Sequence, residues 1–228
     1  LYVSLFASAF PGQQDMVNWE KIKESISAFL FTIISANAVF DRYTNGDSSI
    51  LSVSQKEGMK LFFSDRLKCS NCHGGFNFSS PTVSNEKGDT IYYFNTGLYN
   101  VNDKGLYPGY DQGLFQLTEN KQDIGKYRVP SLRNLAFTAP YFHDGSAENL
   151  EEVIDAYAAG GRNILVGVYK GDGRAHPEKS ELIKGFTITL QQRMDLINFL
   201  FSLSDSAFIN NPSISNPFTT DETNAKDY

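Results

Sequence analysis

Four stretches of the chain repeat apolar residues at helical spacing, separated by longer polar ground. Between Val17 and Ser35, the residues Ile22, Ile26, Phe29, Leu30, Ile33 and Ile34 recur three or four positions apart, which predicts an amphipathic helix. "FDRYTNGDSS" then reads as a loop. Ser54 opens "SQKE", a capping box with Glu57 at the third helical position. The helix it starts carries Met59, Leu61, Phe62 and Phe63. A third helix, "LEEVIDAYAAGG", has Asn149 as its cap, Glu152 in its first turn and Gly160–Gly161 as its stop. Its stripe is Leu150, Val153, Ile154 and Tyr157. The fourth begins at Thr189 in "TLQQ" and carries Met194, Ile197, Leu200, Phe201 and Leu203.

Residues 74–130 hold many Gly, Asn, Asp and Tyr and little periodicity. An irregular run of this length has a functional reason more often than not, and wrapping a cofactor is one. A short strand is predicted near Thr90–Phe94. After Ser204 a polar, Pro-interrupted tail reads as extended or partly disordered. The sum is an all-α fold class with long loops and few short strands.

The two cysteines of the 228-residue chain fall in "CSNCHGGF", as Cys69 and Cys72, with His73 next. A structural zinc site needs four ligands, and His143 and His176 stand far apart in sequence. A thioredoxin-like pair needs a strand–CxxC–helix context, but a helical run precedes this motif and a Gly/Asn/Ser-rich run follows it. A disulfide, or two inert thiols, leaves the histidine unexplained. C-x-x-C-H is the signature of covalent haem attachment. Two thiols take the porphyrin vinyls, and the histidine lies under the iron.

Composition suits that cofactor, with 41% hydrophobic and 14% aromatic residues. Net charge is −6 and the sequence pI about 5.1. That argues against nucleic acid and allows a basic or dipolar redox partner. No apolar run has the length of a membrane span. "LYVSLFASAF" lacks an initiator Met and a basic n-region, so it is not an intact signal peptide. A c-type haem is attached outside the bacterial cytoplasm, so a periplasmic location and a mature, trimmed or partial chain are expected.

"YRVPSLRNLAFTAPYFHDGSAENLEEVIDAYAAGG", with "NTGLYN", "FDRYTNGD" and "TLQQRMDLINFLFSLSD", resembles bacterial di-haem cytochrome c peroxidases and MauG. The likeness covers nearly the whole chain. It implies a linking helical segment at 1–48, a cytochrome c-like haem domain at 49–204, equivalent to the family's C-terminal haem domain, and an extended tail at 205–228. The chain has one CxxCH, so the resemblance implies that the peroxidatic haem belongs to an N-terminal domain or chain outside these residues. No catalytic residue is assigned.

By resemblance, Cys69 and Cys72 hold the haem and His73 is the proximal ligand. In the peroxidases the second ligand is a methionine fourteen residues after the histidine of "YFHDG"; here that histidine is His143 and the position is Tyr157. MauG-like members have tyrosine there. Tyr157 is a ligand in that reading and a core aromatic in the plain one, with Met59 and Met194 as competing ligands or core residues. A phenolate is hard and favours oxidised iron, whereas a thioether raises the potential. The resemblance places Arg133 at a haem propionate and His143 beside the haem pocket, while His176 reads as an exposed loop residue. It also implies calcium, held in part by the backbone carbonyls of Thr138 and Pro140. The implied function is electron relay for hydrogen peroxide reduction. A small redox protein would be the donor, and a homodimer is allowed. The alternative is a single-haem cytochrome that only carries electrons.

Overall fold

The structure is a computed structural model that describes residues 2–12, 15, 17–79 and 93–215. They divide into two units. One comprises the described residues before 37 and after 205, the other residues 37–205. The first boundary between the units lies at 36/37.

In the first unit, α1 is Tyr2–Ala9 and α2 is Trp19–Thr32. The Asn18 side chain starts α2 by accepting from the Lys21 N–H at 3.0 Å. The predicted apolar stripe is present, but no residue of α2 is buried. Ile26, Phe29, Leu30 and Ile34 all stand exposed.

The second unit begins with α3 (Val39–Thr44), where the pattern predicted a loop. The Asp41 carboxylate caps it, accepting from the Ala38 N–H at 2.9 Å. Next, α4 (Val53–Phe62) starts two residues earlier than expected. Ser52 and Gln55 form the capping box: Ser52 Oγ accepts from the Gln55 N–H at 3.2 Å, and Gln55 Oε1 from the Ser52 N–H at 2.9 Å. Ser54 is instead drawn to a distant helix, donating to Asp195 Oδ1 at 2.5 Å. The CxxC forms the short α5 (Cys69–Cys72). β1 (Tyr93–Phe94) is the visible part of the strand predicted at 90–94; residues 90–92 lie outside the described set. α6 (Phe115–Thr118) follows, then β2 (Tyr127–Arg128), which pairs antiparallel with β1. α7 (Leu150–Ala158) begins at Asn149 as predicted, with Asn149 Oδ1 accepting from the Glu152 N–H at 2.9 Å. Gly160, at φ +79°, ends the run in a conformation that glycine adopts without strain. β3 (Asn163–Ile164) and β4 (Gly171–Asp172) form a second antiparallel ribbon. α8 (Leu190–Phe201) has the Thr189–Gln192 capping box that the sequence predicts.

Packing of α4 on α8 makes the main core. Phe62, Leu67, Phe78, Leu150, Ile154, Phe199 and Leu203 are buried in it. Phe62 and Phe78 each lie 5.2–5.8 Å, centroid to centroid, from other rings of the group. Such tilted or edge-on contacts add to burial. Met59 packs against this core, but Met194 is 57% exposed. Leu196, Ile197, Phe199 and Leu200 form the inner face of α8. The irregular stretch has its own small core of Leu98, Tyr99 and Tyr107.

The tail departs from the extended expectation. It makes α9 (Ser206–Ile209) and a turn at Pro212–Ile214; residues 216–228 lie outside the described set. The described residues are mostly helical with four two-residue strands, and no described helix is long and apolar enough to cross a membrane.

Gly58 lets α4 approach α8. A Cβ there would lie 1.9 Å from the Asp195 carbonyl oxygen and 2.8 Å from Phe199 Cβ. Gly58→Ala is expected to destabilise the protein by at least the ~1–3 kcal/mol typical of overpacking. Urea denaturation should show a lower midpoint.

Candidate haem site

Lys68 enters α5 with a left-handed backbone, φ 57°. One turn later the His73 N–H donates back to the Cys69 carbonyl at 2.9 Å. Cys69 and Cys72 are three residues apart on this turn, so their side chains share a face. Both are free thiols, half-buried, and Cys69 packs against the main core. Burial pushes the Cys69 thiol up to about 12, opposed by a backbone hydrogen bond at Cys69 itself, and the Cys72 thiol to about 11.

The His73 ring is fixed from one side. Its Nδ1 lies 3.0 Å from the Phe78 carbonyl. A carbonyl only accepts, so this contact assigns the proton to Nδ1 and leaves the Nε2 lone pair free. Metal-bound histidines are oriented in this way. Burial lowers the His73 pKa, against the opposing pull of the Phe78 and Pro130 carbonyls.

Tyr157 comes to the motif from α7. Its phenol pKa is raised, first by burial and then by the charges that Cys72 and Cys69 would carry. Tyr157 also walls a cavity of about 260 Å³ beside the motif, with Leu67, Lys68, Ile183 and Phe186. The donor set therefore fits a c-type haem: two sulfurs on one face, an imidazole with a free Nε2, and a phenol nearby. Among the described residues no group of three or more His, Cys, Asp or Glu could hold a metal ion, so the zinc reading has no ligand set there.

The other expected residues make contacts of their own. Arg133 is 9% exposed and closes a fork on Asp41, Nη1 to Oδ2 at 2.9 Å and Nη2 to Oδ1 at 2.8 Å. Its Nε donates to the Phe76 carbonyl at 2.9 Å, and its guanidinium lies 4.1 Å over the Phe76 ring. The structure thus commits this group to Asp41 and the segment after CxxCH. His143 Nε2 lies 2.7 Å from Asp111 Oδ2, and its ring stacks on Tyr127 at 3.7 Å. His176 is not an exposed loop residue but is 4% exposed. Its Nδ1 accepts from the Glu178 N–H at 3.0 Å, and its ring meets Tyr107 edge-on. Thr138 and Pro140 are exposed, at the end of a turn and beside the Tyr141–Ala147 bridge.

The sequence reading missed Asp41, Asp111 and Tyr127. Asp41 lay in a stretch read as a loop, and Asp111 in "GYDQG", where only turn chemistry is legible. A concentration of tyrosine from residue 99 to 127 was the available signal.

A family model described as di-haem cytochrome c peroxidase matches residues 1–49. The chain is 36% identical over 225 residues to the cytochrome-c peroxidase IdrP1 of Pseudomonas sp. (strain SCT), covering 90% of this chain and 54% of that protein. It is 28% identical to the methylamine utilization protein MauG of Methylorubrum extorquens, covering 89% and 49%. A crystal structure of a MauG-like protein associated with microbial copper homeostasis superposes with a TM-score of 0.87 at 40% identity, covering 96% of this chain and 62% of that one. The chain thus spans about half the length of these curated relatives.

Two outcomes follow from this geometry. In haem-free protein at pH 8, iodoacetamide should modify Cys72 roughly 100-fold and Cys69 roughly 1,000-fold more slowly than an ordinary cysteine, because only the thiolate reacts. Peptide mass spectrometry reads both rates. Arg133→Met should cost about 3–5 kcal/mol in denaturant unfolding by leaving Asp41 buried and unpaired. Adding Asp41→Leu should recover part of that loss.

Proposed function

The chain belongs to the di-haem cytochrome c peroxidase and MauG family, and from that membership we propose that it is the electron-relay haem domain of a periplasmic, peroxide-reducing oxidoreductase. The observation that carries the reading is the C-x-x-C-H turn, with His73 Nδ1 held by the Phe78 carbonyl and Tyr157 walling the cavity beside it.

In this reading Cys69 and Cys72 hold one c-type haem, His73 supplies Nε2 to the iron, and Tyr157 supplies its phenol oxygen. When bound, the haem provides one-electron transfer. The protein's own part is to orient and enclose. The Phe78 carbonyl keeps the His73 proton on Nδ1. Arg133 holds the Phe76 carbonyl, two residues before Phe78. It acts on a propionate only through donors that Asp41 leaves over. Burial keeps the Tyr157 phenol protonated until a cation binds it.

The exposed apolar stripe of α2 supports a covering partner surface, which we assign to the domain or chain with the peroxide-reactive haem. Donor protein, hydrogen peroxide and a calcium ion touching the carbonyls of Thr138 and Pro140 belong to the same proposal. A second reading, an electron carrier alone, rests on the single CxxCH. The relay reading requires peroxide consumption by the haem-loaded protein with its partner; the carrier reading requires none.

Tyr157→Phe tests the ligand assignment. Loss of a hard, anionic ligand should shift the ferric absorption spectrum and raise the reduction potential. An unchanged spectrum and potential would remove Tyr157 from the iron.

A further inference from the structure

The loops between α5 and α7, joined by Tyr169 from the turn between β3 and β4, bring tyrosines together in a way that packing alone does not require. Tyr99 and Tyr107 are 6% and 5% exposed, with ring centroids 5.5 Å apart. Tyr169 lies 5.8 Å from Tyr99, and Tyr110 lies 6.3 Å from Tyr169. Tyr110 is 72% exposed, and its hydroxyl lies 3.3 Å from that of Tyr169. At the inner end, Phe142 packs against the Leu98–Tyr99–Tyr107 core and lies 6.5 Å from the Tyr157 ring. Ring contacts therefore lead from Tyr99 through Tyr169 to Tyr110 at the surface, and Phe142 links the core around Tyr99 to Tyr157.

A buried phenol can give up an electron only if its proton has somewhere to go, because an oxidised phenol is a very strong acid. Tyr99 has such an acceptor. Its hydroxyl donates to Asp144 Oδ2 at 2.6 Å. Burial works against the Asp144 charge, but hydrogen bonds from Ser146 and Tyr99 and the Arg162 charge outweigh it and keep the carboxyl below its usual range. The Arg162 guanidinium also sits 4.9 Å over the Tyr99 ring. A positive charge there opposes a cationic ring, so oxidation must be accompanied by proton loss.

We propose that Tyr99, with Asp144 as its proton acceptor, is a redox-active residue that passes oxidising equivalents from the CxxCH pocket to the surface at Tyr110. A one-electron oxidant at the pocket takes an electron from Tyr99, the O–H bond breaks, and the proton moves to Asp144 Oδ2. A neutral phenoxyl remains. An electron arriving from a reductant at Tyr110, through Tyr169, restores the phenol, and Asp144 returns the proton. In the protein the oxidant would be haem iron carried above the ferric state by peroxide, and to that extent the inference rests on the proposed function.

The test supplies its own oxidant. In the haem-loaded full chain the native thiols are taken, so Lys184→Cys, on the wall of the cavity that Tyr157 shares, offers a single site for a tethered ruthenium polypyridyl. Flash–quench generates a one-electron oxidant there. A nitroso spin trap, mapped by peptide mass spectrometry, reports where the radical emerges. The expected result is an adduct on Tyr110 that is lost in Tyr99→Phe and in Asp144→Asn, with circular dichroism unchanged. An adduct that persists in both variants, or none on Tyr110 in the parent, would overturn the proposal. Peroxide given to the unlabelled, haem-loaded protein together with the partner that carries the peroxide-reactive haem separates the two readings. No peroxide consumption there, beside intact labelling of Tyr110, would sink the proposed function and leave the tyrosine route standing.

Discussion

The buried fork between Asp41 and Arg133 is the contact on which the rest of the second unit depends. It joins residues 92 positions apart at 2.8 and 2.9 Å, with both side chains nearly out of water. Such a pair is costly to desolvate and is favourable only when its remaining groups are also satisfied. Here they are. The carboxylate also caps α3, and the guanidinium also holds the Phe76 carbonyl. Phe78, two residues on, lends its carbonyl to His73 and its ring to the main core. Core, cap and imidazole orientation are thus tied through one ion pair.

Those ties explain which parts of the chain could be read directly. The caps of α7 and α8 were legible because they are local: Asn149 and Thr189 each bond three residues ahead. For α4 the local signal was ambiguous, since Ser52 and Ser54 both have the right chemistry. A tertiary bond from Ser54 to Asp195 decided between them. α3 could not be read, because its cap is a carboxylate whose burial depends on an arginine far along the chain. His176 failed for the same reason. A polar loop sequence says nothing about being enclosed by Tyr107 and bonded to Asn95 and Glu178.

The site divides along the same line. Cys69, Cys72 and His73 were legible because C-x-x-C-H is a contiguous signature that needs no tertiary contact to be read. The approach of Tyr157 came from family resemblance alone, since periodicity offers an ordinary core aromatic. Arg133 was found as a residue, but its contacts were not. Asp41 had to be seen before the guanidinium could be placed. The tyrosine-lined loops were read as irregular, and by period they are. Their order comes from Leu98, Tyr99 and Tyr107 packing as a second, smaller core.

Burial of the two thiols also bears on the order in which the protein is assembled. A sulfur whose pKa stands near 11 or 12 is almost wholly protonated at neutral pH, and a protonated sulfur is a poor nucleophile. Closing the fold around Cys69 and Cys72 therefore silences the chemistry that would capture a porphyrin. Capture of a porphyrin by these sulfurs is therefore slower in the closed fold than in a segment still open to water.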